Sequence, residues 1–188
     1  QTIVKRAREY GFDGVELRGI RGEFHLPVLP EISARPESVR ALFSEHKVEL
    51  VCLASSATLD AKRVKDLAKQ KSAIIEFIEL ACRLGCPYVR IFAGDVQRLD
   101  NHHAALARVA EAFTSLVPVL SAANVTLLIE NGGDFPGSDK MWFVVDAVAD
   151  SSVRCCWNQF NAAMIPERPT NSIPRLGARL GMVHLCDG

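Results

Sequence analysis

The chain has 188 residues, with 22 acidic and 22 basic side chains, so its formal net charge is zero. That balance, with no basic run longer than a pair, argues against a nucleic-acid or membrane-surface partner. The sequence shows no signal peptide, and we read no apolar stretch of the ~20 residues that cross a bilayer.

The chain opens on a helical pattern, TIVKRAREYG (2–11), followed by a strand-like run, DGVELR (13–18). Pro36 and Glu37 suit the first turn of a helix over about 36–46, and VELVCLA (48–54) is the next strand. A helix over about 61–84 leads to YVRIFA (88–93). One over about 100–123, capped by Asp100 or Asn101, leads to VTLLIE (125–130). Helices over about 139–149 and 171–180 precede VRCCWN (153–158) and MVHLCD (182–187). Gly11, Gly85 and Gly181 stand where left-handed C-caps belong.

The strands centre on Val15, Val51, Val89, Leu127, Val153 and Val183, which is the beat of a repeated strand and crossover helix. Near-continuous apolar strands agree with a parallel sheet buried on both faces. No linker divides the chain, so residues 1–188 are read as one domain. The beat fits an open doubly wound sheet or a closed barrel. No GxGxxG or P-loop follows the first strand, which disfavours the nucleotide-binding sheet.

The six cysteines lack CxxC spacing, and most sit in apolar runs. They are expected to be buried free thiols in a reducing cytoplasm, without the partner spacings of a zinc site. Trp157 is expected to pack toward the helices, and His102 and His103 to lie on the surface.

Polar side chains recur near the strand ends. Side chains alternate along a strand, so Glu16 with Arg18, Arg90 with Phe92, Glu130 with Leu128, Asn158 with Cys156, and His184 with Cys186 each share a face. Only a barrel gathers such residues at one mouth, the one at the strand C-termini where chemistry resides. An unpaired carboxylate there is costly, so Glu16 and Glu130 must pair, bind a metal or reach water. Glu130 with His184 suits a divalent metal such as Mn, Co, Zn or Fe. A structural ion pair, such as Arg90 with Glu130, is the alternative.

At these residues the chain resembles a known family. GFDGVELRG (11–19), PYVRIFAG (87–94), TLLIENGGDF (126–135), CWNQFNAA (156–163) and VHLCDG (183–188) look like the xylose isomerase-like TIM barrels, which include sugar phosphate isomerases and epimerases. The resemblance implies a (β/α)8 barrel whose first and eighth strands are missing from this chain. It implies a divalent metal (Mn, Mg, Co or Zn) with Glu130, Asn158 and His184 in ligand positions. Asn158 stands where the family has Asp, and Asn161 where it often has His. A strand-eight acid would lie beyond the chain.

The implied chemistry is proton transfer next to a carbonyl through an enediolate in a sugar or polyol isomerase or epimerase, with Glu130 and His184 catalytic. Glu16, Arg18, His25, Arg90, Asn161 and Asp187 are the expected substrate-binding residues, His25 by closing over the mouth. The alternatives are an inosose-type dehydratase on the same site, or a metal-free barrel that only binds a ligand. The expected partner is a small sugar or polyol, with a homo-oligomer possible. The chain starts on Gln1 within a helix and stops at Gly188 after a strand, so we expect a piece of a longer protein. Expressed alone it should be inactive, and its unpaired edge strands should drive self-association. A monodisperse, cooperatively melting monomer in sedimentation and thermal unfolding would contradict the latter expectation.

Overall fold

The computed structural model describes residues 2–59, 64–92, 94 and 101–186. Its elements run α1 (Thr2–Glu9), β1 (Gly14–Leu17), α2 (Pro30–Ser33), α3 (Pro36–Glu45), β2 (Glu49–Thr58), α4 (Val64–Leu84) and β3 (Tyr88–Phe92). They continue through α5 (His102–Thr114), α6 (Val117–Ala123), β4 (Thr126–Glu130), α7 (Ser138–Val148), β5 (Val153–Asn158), α8 (Gln159–Ala163), α9 (Pro169–Leu176) and β6 (Leu180–His184). The six strands form one sheet in the order β1-β2-β3-β4-β5-β6, and every neighbouring pair is parallel. Sequential neighbours joined by helical crossovers make a curled half-barrel, as the strand–helix beat implied.

Alternation along the strands separates two apolar layers. Val89, Ile91, Leu127, Ile129, Val153, Cys155 and Trp157 belong to the main core cluster. The helices contribute regular stripes to it: Ile74, Phe77, Ile78 and Ala81 from α4, and Met141, Val144, Val145 and Val148 from α7. Such spacing puts one helix face on the sheet. Cys52, Ala54, Leu128 and Cys156 are equally buried but occupy the opposite strand face, beside Arg90 and Glu130.

The punctuation largely follows the expected chemistry. Gly11 and Gly85 hold φ of +78° and +66°, and Asn101 caps α5 by accepting from the His103 amide at 3.0 Å. Gly181 is a correction. α9 stops at Leu176, and Gly177 takes the positive φ of +50°. Gly181 lies inside β6, where a Cβ would come within 2.7 Å of Leu128 Cδ2. It is a packing glycine, not a cap. The last strand therefore starts earlier than expected, and Cys186 lies beyond it and is exposed. Cys82 is exposed too, and all six thiols are free.

The expected helix over 100–123 divides into α5 and α6, with Pro118 in the first turn of α6, where its missing N–H costs least. Residues 103–123 also correct the reading of apolar stretches. Taken together they are apolar and long enough to cross a membrane by length and composition, with a mean hydropathy of 1.3 over an 18-residue window. Ala105, Leu106, Val109, Ala110, Phe113, Leu116 and Leu120 are buried inside the fold, so the stretch serves as core helix. Two short helices, α2 and α8, had no periodic signal because each is under two turns long.

Trp157 is fully buried, with its indole N–H donating to Gln159 Oε1 at 3.2 Å. Trp142 is 37% exposed. Trp157→Ala should cost about 3–5 kcal/mol of unfolding free energy, and Trp142→Ala clearly less; paired denaturant melts check the difference.

Candidate functional site

Strand register brings the polar side chains of four strands together. Phe92 on β3 is level with Glu130 on β4, Glu130 with Cys156 on β5, and Asn158 with His184 on β6. β1 adds Glu16, and Arg90 projects from β3 on the same side. All lie toward the C-terminal ends of their strands, the mouth predicted from sequence.

His184 is the junction. Its Nδ1 lies 3.3 Å from Glu130 Oε1 and its Nε2 3.2 Å from Glu16 Oε2. Arg90 bridges the same two acids, with Nη2 3.4 Å from Glu16 Oε1 and Nε 3.0 Å from Glu130 Oε2. The second contact is close, but its N–H is not aligned on the oxygen. Neither Arg90 Nε nor Glu130 Oε2 therefore has a directed hydrogen bond, and we treat the contact as charge attraction alone. A bulge in β2 between Ala54 and Thr58 interrupts the ladder, and nearby the Ser55 carbonyl accepts from Arg90 Nη1 at 3.3 Å. Glu130 and Arg90 are 3% and 5% exposed, so each needs the other.

The protonation states follow from this enclosure. Burial raises the carboxyl pKa of Glu130, but hydrogen bonds from His184 and Asn158 and the Arg90 charge outweigh it and leave it below the usual range. Glu16 behaves alike, with burial overcome by His184 and Arg90. Contacts with the Cys156 sulfur, Glu130 and Glu16 push the His184 imidazole up to about 12. Burial raises the Cys156 pKa, so it stays a thiol. Two carboxylates thus face one guanidinium and one imidazolium, and the cluster is neutral as it stands.

Asn158 does not present itself as a ligand. Its Oδ1 caps α8, accepting from the amides of Phe160 and Asn161 at 3.0 and 3.2 Å, while its Nδ2 donates to Glu130 Oε1 at 2.8 Å. To offer oxygen to a cation it would have to uncap the helix. Asn161 also turns elsewhere, donating to the Asn131 carbonyl at 2.8 Å. His25, expected over the mouth, is held on α4 instead. Its Nε2 is 2.7 Å from Glu76 Oε2, and its ring meets Phe77 edge-on at 5.4 Å. Arg18 reaches the rim, donating to Ser56 Oγ at 2.7 Å. Asp187 lies outside the described residues.

Two residues escaped the sequence reading. Asn131 is completely buried. Its Oδ1 accepts from the Asn158 amide at 2.6 Å, and its Nδ2 donates to the carbonyls of Asn158 and Pro136 at 3.0 and 3.1 Å. It continues the β4–β5 pairing one step past Glu130 with a side chain. Gly133, at φ +54°, then turns the chain back so that Gly132 and Phe135 exchange hydrogen bonds. The amide following the strand-end acid was the available signal. Cys156 is the other. The sequence marks it only as a buried free thiol on the face of Asn158, yet Glu130, Cys156 and His184 place an oxygen, a sulfur and a nitrogen within 4.8 Å of one another.

That trio fits a transition-metal ion in donor type. An imidazolium and a thiol ligate only after losing their protons, so a divalent ion would stand in for the protons now on His184 and Cys156.

The pKa directions set a pH window for the metal-free protein. Glu16 and Glu130 are lowered from 4.5, so their stabilisation is present above pH 4.5 and is lost as pH falls through their folded values. His184 is raised from 6.5, so its contribution is complete below pH 6.5 and is lost as pH climbs toward 12. Thermal melts should peak between those two limits, and Glu130→Gln should flatten the alkaline decline.

The comparisons with known proteins bear on the fold. A family model described as the xylose isomerase-like TIM barrel matches residues 4–188. No curated protein matches the sequence significantly. D-psicose 3-epimerase, solved in the presence of D-fructose, superposes with a TM-score of 0.84 at 14% identity, over 97% of this chain and 66% of that one. The 3-keto-D-glucoside 4-epimerase of E. coli gives 0.81 at 14% identity, over 98% and 72%. The IOLI protein with a binding zinc atom gives 0.80 at 14%, over 95% and 65%. At such identities the likeness speaks for the fold, and the chain spans about two thirds of each relative. With the family model covering nearly its whole length, the chain belongs to the xylose isomerase-like TIM barrel family.

Proposed function

We propose that this chain carries the main part of a sugar or polyol isomerase or epimerase site, in which Glu130 moves a proton next to a carbonyl. The observation that supports it most is the buried Glu130 carboxylate at a strand end, held by Arg90, Asn158 and His184. Two of the similar structures are sugar epimerases, which points the same way. Six free thiols suit the reducing cytoplasm in which we place the protein.

Glu130 is ionised at neutral pH and accepts the proton from the carbon that bears a hydroxyl. Asn158 and His184 orient its carboxylate and the Arg90 charge holds it in place, so little reorganisation is needed during transfer. Glu16 fixes the far side of the His184 ring, and Arg18 meets the substrate at the rim. A divalent ion held by Glu130, His184 and Cys156 would polarise the substrate carbonyl. Without an ion, both His184 N–H groups stay on Glu130 and Glu16, and the imidazolium contributes its positive charge to the site in which negative charge develops. A dehydratase acting on a keto-polyol would begin with the same proton abstraction. The turned-in Nδ2 of Asn158 favours a second reading, a barrel that binds its ligand without metal.

Incubation of the full-length protein with ketoses and inososes in D2O checks the reaction. Deuterium should enter the recovered sugar at the carbon beside the carbonyl, and Glu130→Gln should slow exchange roughly a hundredfold or more. No exchange with either class would sink the proposal, and exchange accompanied by water loss would select the dehydratase. Metal analysis of the same preparation separates the metal-assisted form from the metal-free one.

A further inference from the structure

Arg18 is held differently from Arg90. It follows β1 directly, two residues beyond Glu16 and therefore on the same side. Its Nη2 donates to Ser56 Oγ at 2.7 Å, and its guanidinium carbon stands 4.8 Å over the Phe24 ring. Its Nη1 is buried without an acceptor. Among the described residues no carboxylate forms an ion pair with it, whereas Arg90 has both Glu16 and Glu130.

The charge count makes this informative. Glu16 and Glu130 are matched by Arg90 and the His184 imidazolium. If a divalent ion displaces the His184 and Cys156 protons, the total is unchanged. In either state Arg18 adds a positive charge that the cluster does not balance. Burial and the Arg90 charge weigh against its protonated form, and Glu16 and Glu130 offset them only partly. Arg18 as a whole is half-buried, but an enclosed N–H such as its Nη1 ordinarily finds an acceptor. Ser56 and Phe24, the two groups that hold Arg18, also line an adjoining hollow of about 300 Å3 with His25, Ser55, Gln70 and Glu23, and the Glu23 Oε1 accepts from the His25 amide at 2.6 Å. Phe24 is 51% exposed, so the subsite opens to solvent beside its ring.

We propose that Arg18, with Ser56 and Phe24, forms a subsite for one anionic group of the substrate, a carboxylate or a phosphate. A planar guanidinium with a free N–H edge binds either oxyanion in a forked geometry. This rests on the proposed sugar-acting function and narrows it to acidic sugars or polyols.

Calorimetry of the full-length protein with D-fructose, its 6-phosphate and its 6-carboxylate tests the subsite. One of the acids should bind about tenfold tighter than D-fructose, and the tighter acid names the group. Arg18→Gln should cut the affinity for the preferred acid about tenfold and that for D-fructose clearly less, abolishing the preference, and Arg18→Lys should retain part of it. Equal affinity for all three ligands, or no binding of either acid, overturns the subsite. So does an equal loss for all three in a normally melting Arg18→Gln. If that variant does not fold, the wild-type preference and its weakening by added salt decide. Exchange of D-fructose protons without acid preference defeats the subsite alone. Acid preference without exchange on any ketose or inosose defeats the proposed reaction and leaves the subsite standing.

Discussion

The site depends on the charge at the end of β4. Leu127, Leu128 and Ile129 are fully buried, and the strand they form carries Glu130 into a place with almost no water. A carboxylate there must be compensated within contact distance or it would take a proton. Arg90 comes from the strand on one side, and Asn158 from the strand on the other. His184 reaches across from β6, and Glu16 closes the ring from β1. Removing one member would strand the charge of another, so the five side chains act as one unit.

A second layer keeps that unit in place. Asn131 braces the backbone of Asn158 on both its N–H and its carbonyl, extending the sheet where the strand itself has ended. Asn158 divides its amide between the two layers, with its oxygen on the α8 amides and its nitrogen on Glu130. Further out, Glu167 accepts from the Ser138 amide at 2.9 Å, and Ser138 also binds Arg175 at 2.7 Å. These bonds tie the start of α7 to the segment after α8. The loop leaving the strand-end acid is therefore fastened at several points, as a preformed site requires.

The rim contrasts with this interior. His25 is engaged with Glu76 and Phe77 on α4, and Arg18 stands between Ser56 and an exposed ring. The interior is matched charge for charge, and the rim is not. That division suits a site whose chemistry is fixed and whose selectivity lies at the mouth.

Much of this was legible in the amino-acid order. Strand–helix spacing determined the parallel sheet, because a crossover helix between parallel strands sets a minimum repeat. Period-two alternation determined which side Glu16, Arg90, Glu130, Asn158 and His184 share, because the pleat leaves a side chain no other choice. Three things needed the tertiary structure. Gly181 looks like a helix cap until Leu128, more than fifty residues away, occupies the space a Cβ would need. Asn158 looks like a ligand until the α8 amides engage its oxygen. Cys156 looks like a buried free thiol until strand register sets it beside Glu130 and His184. Local patterns decide which face a residue takes and how strands follow one another. The partner that each polar atom meets is decided by residues distant in sequence, which only the closed fold brings together.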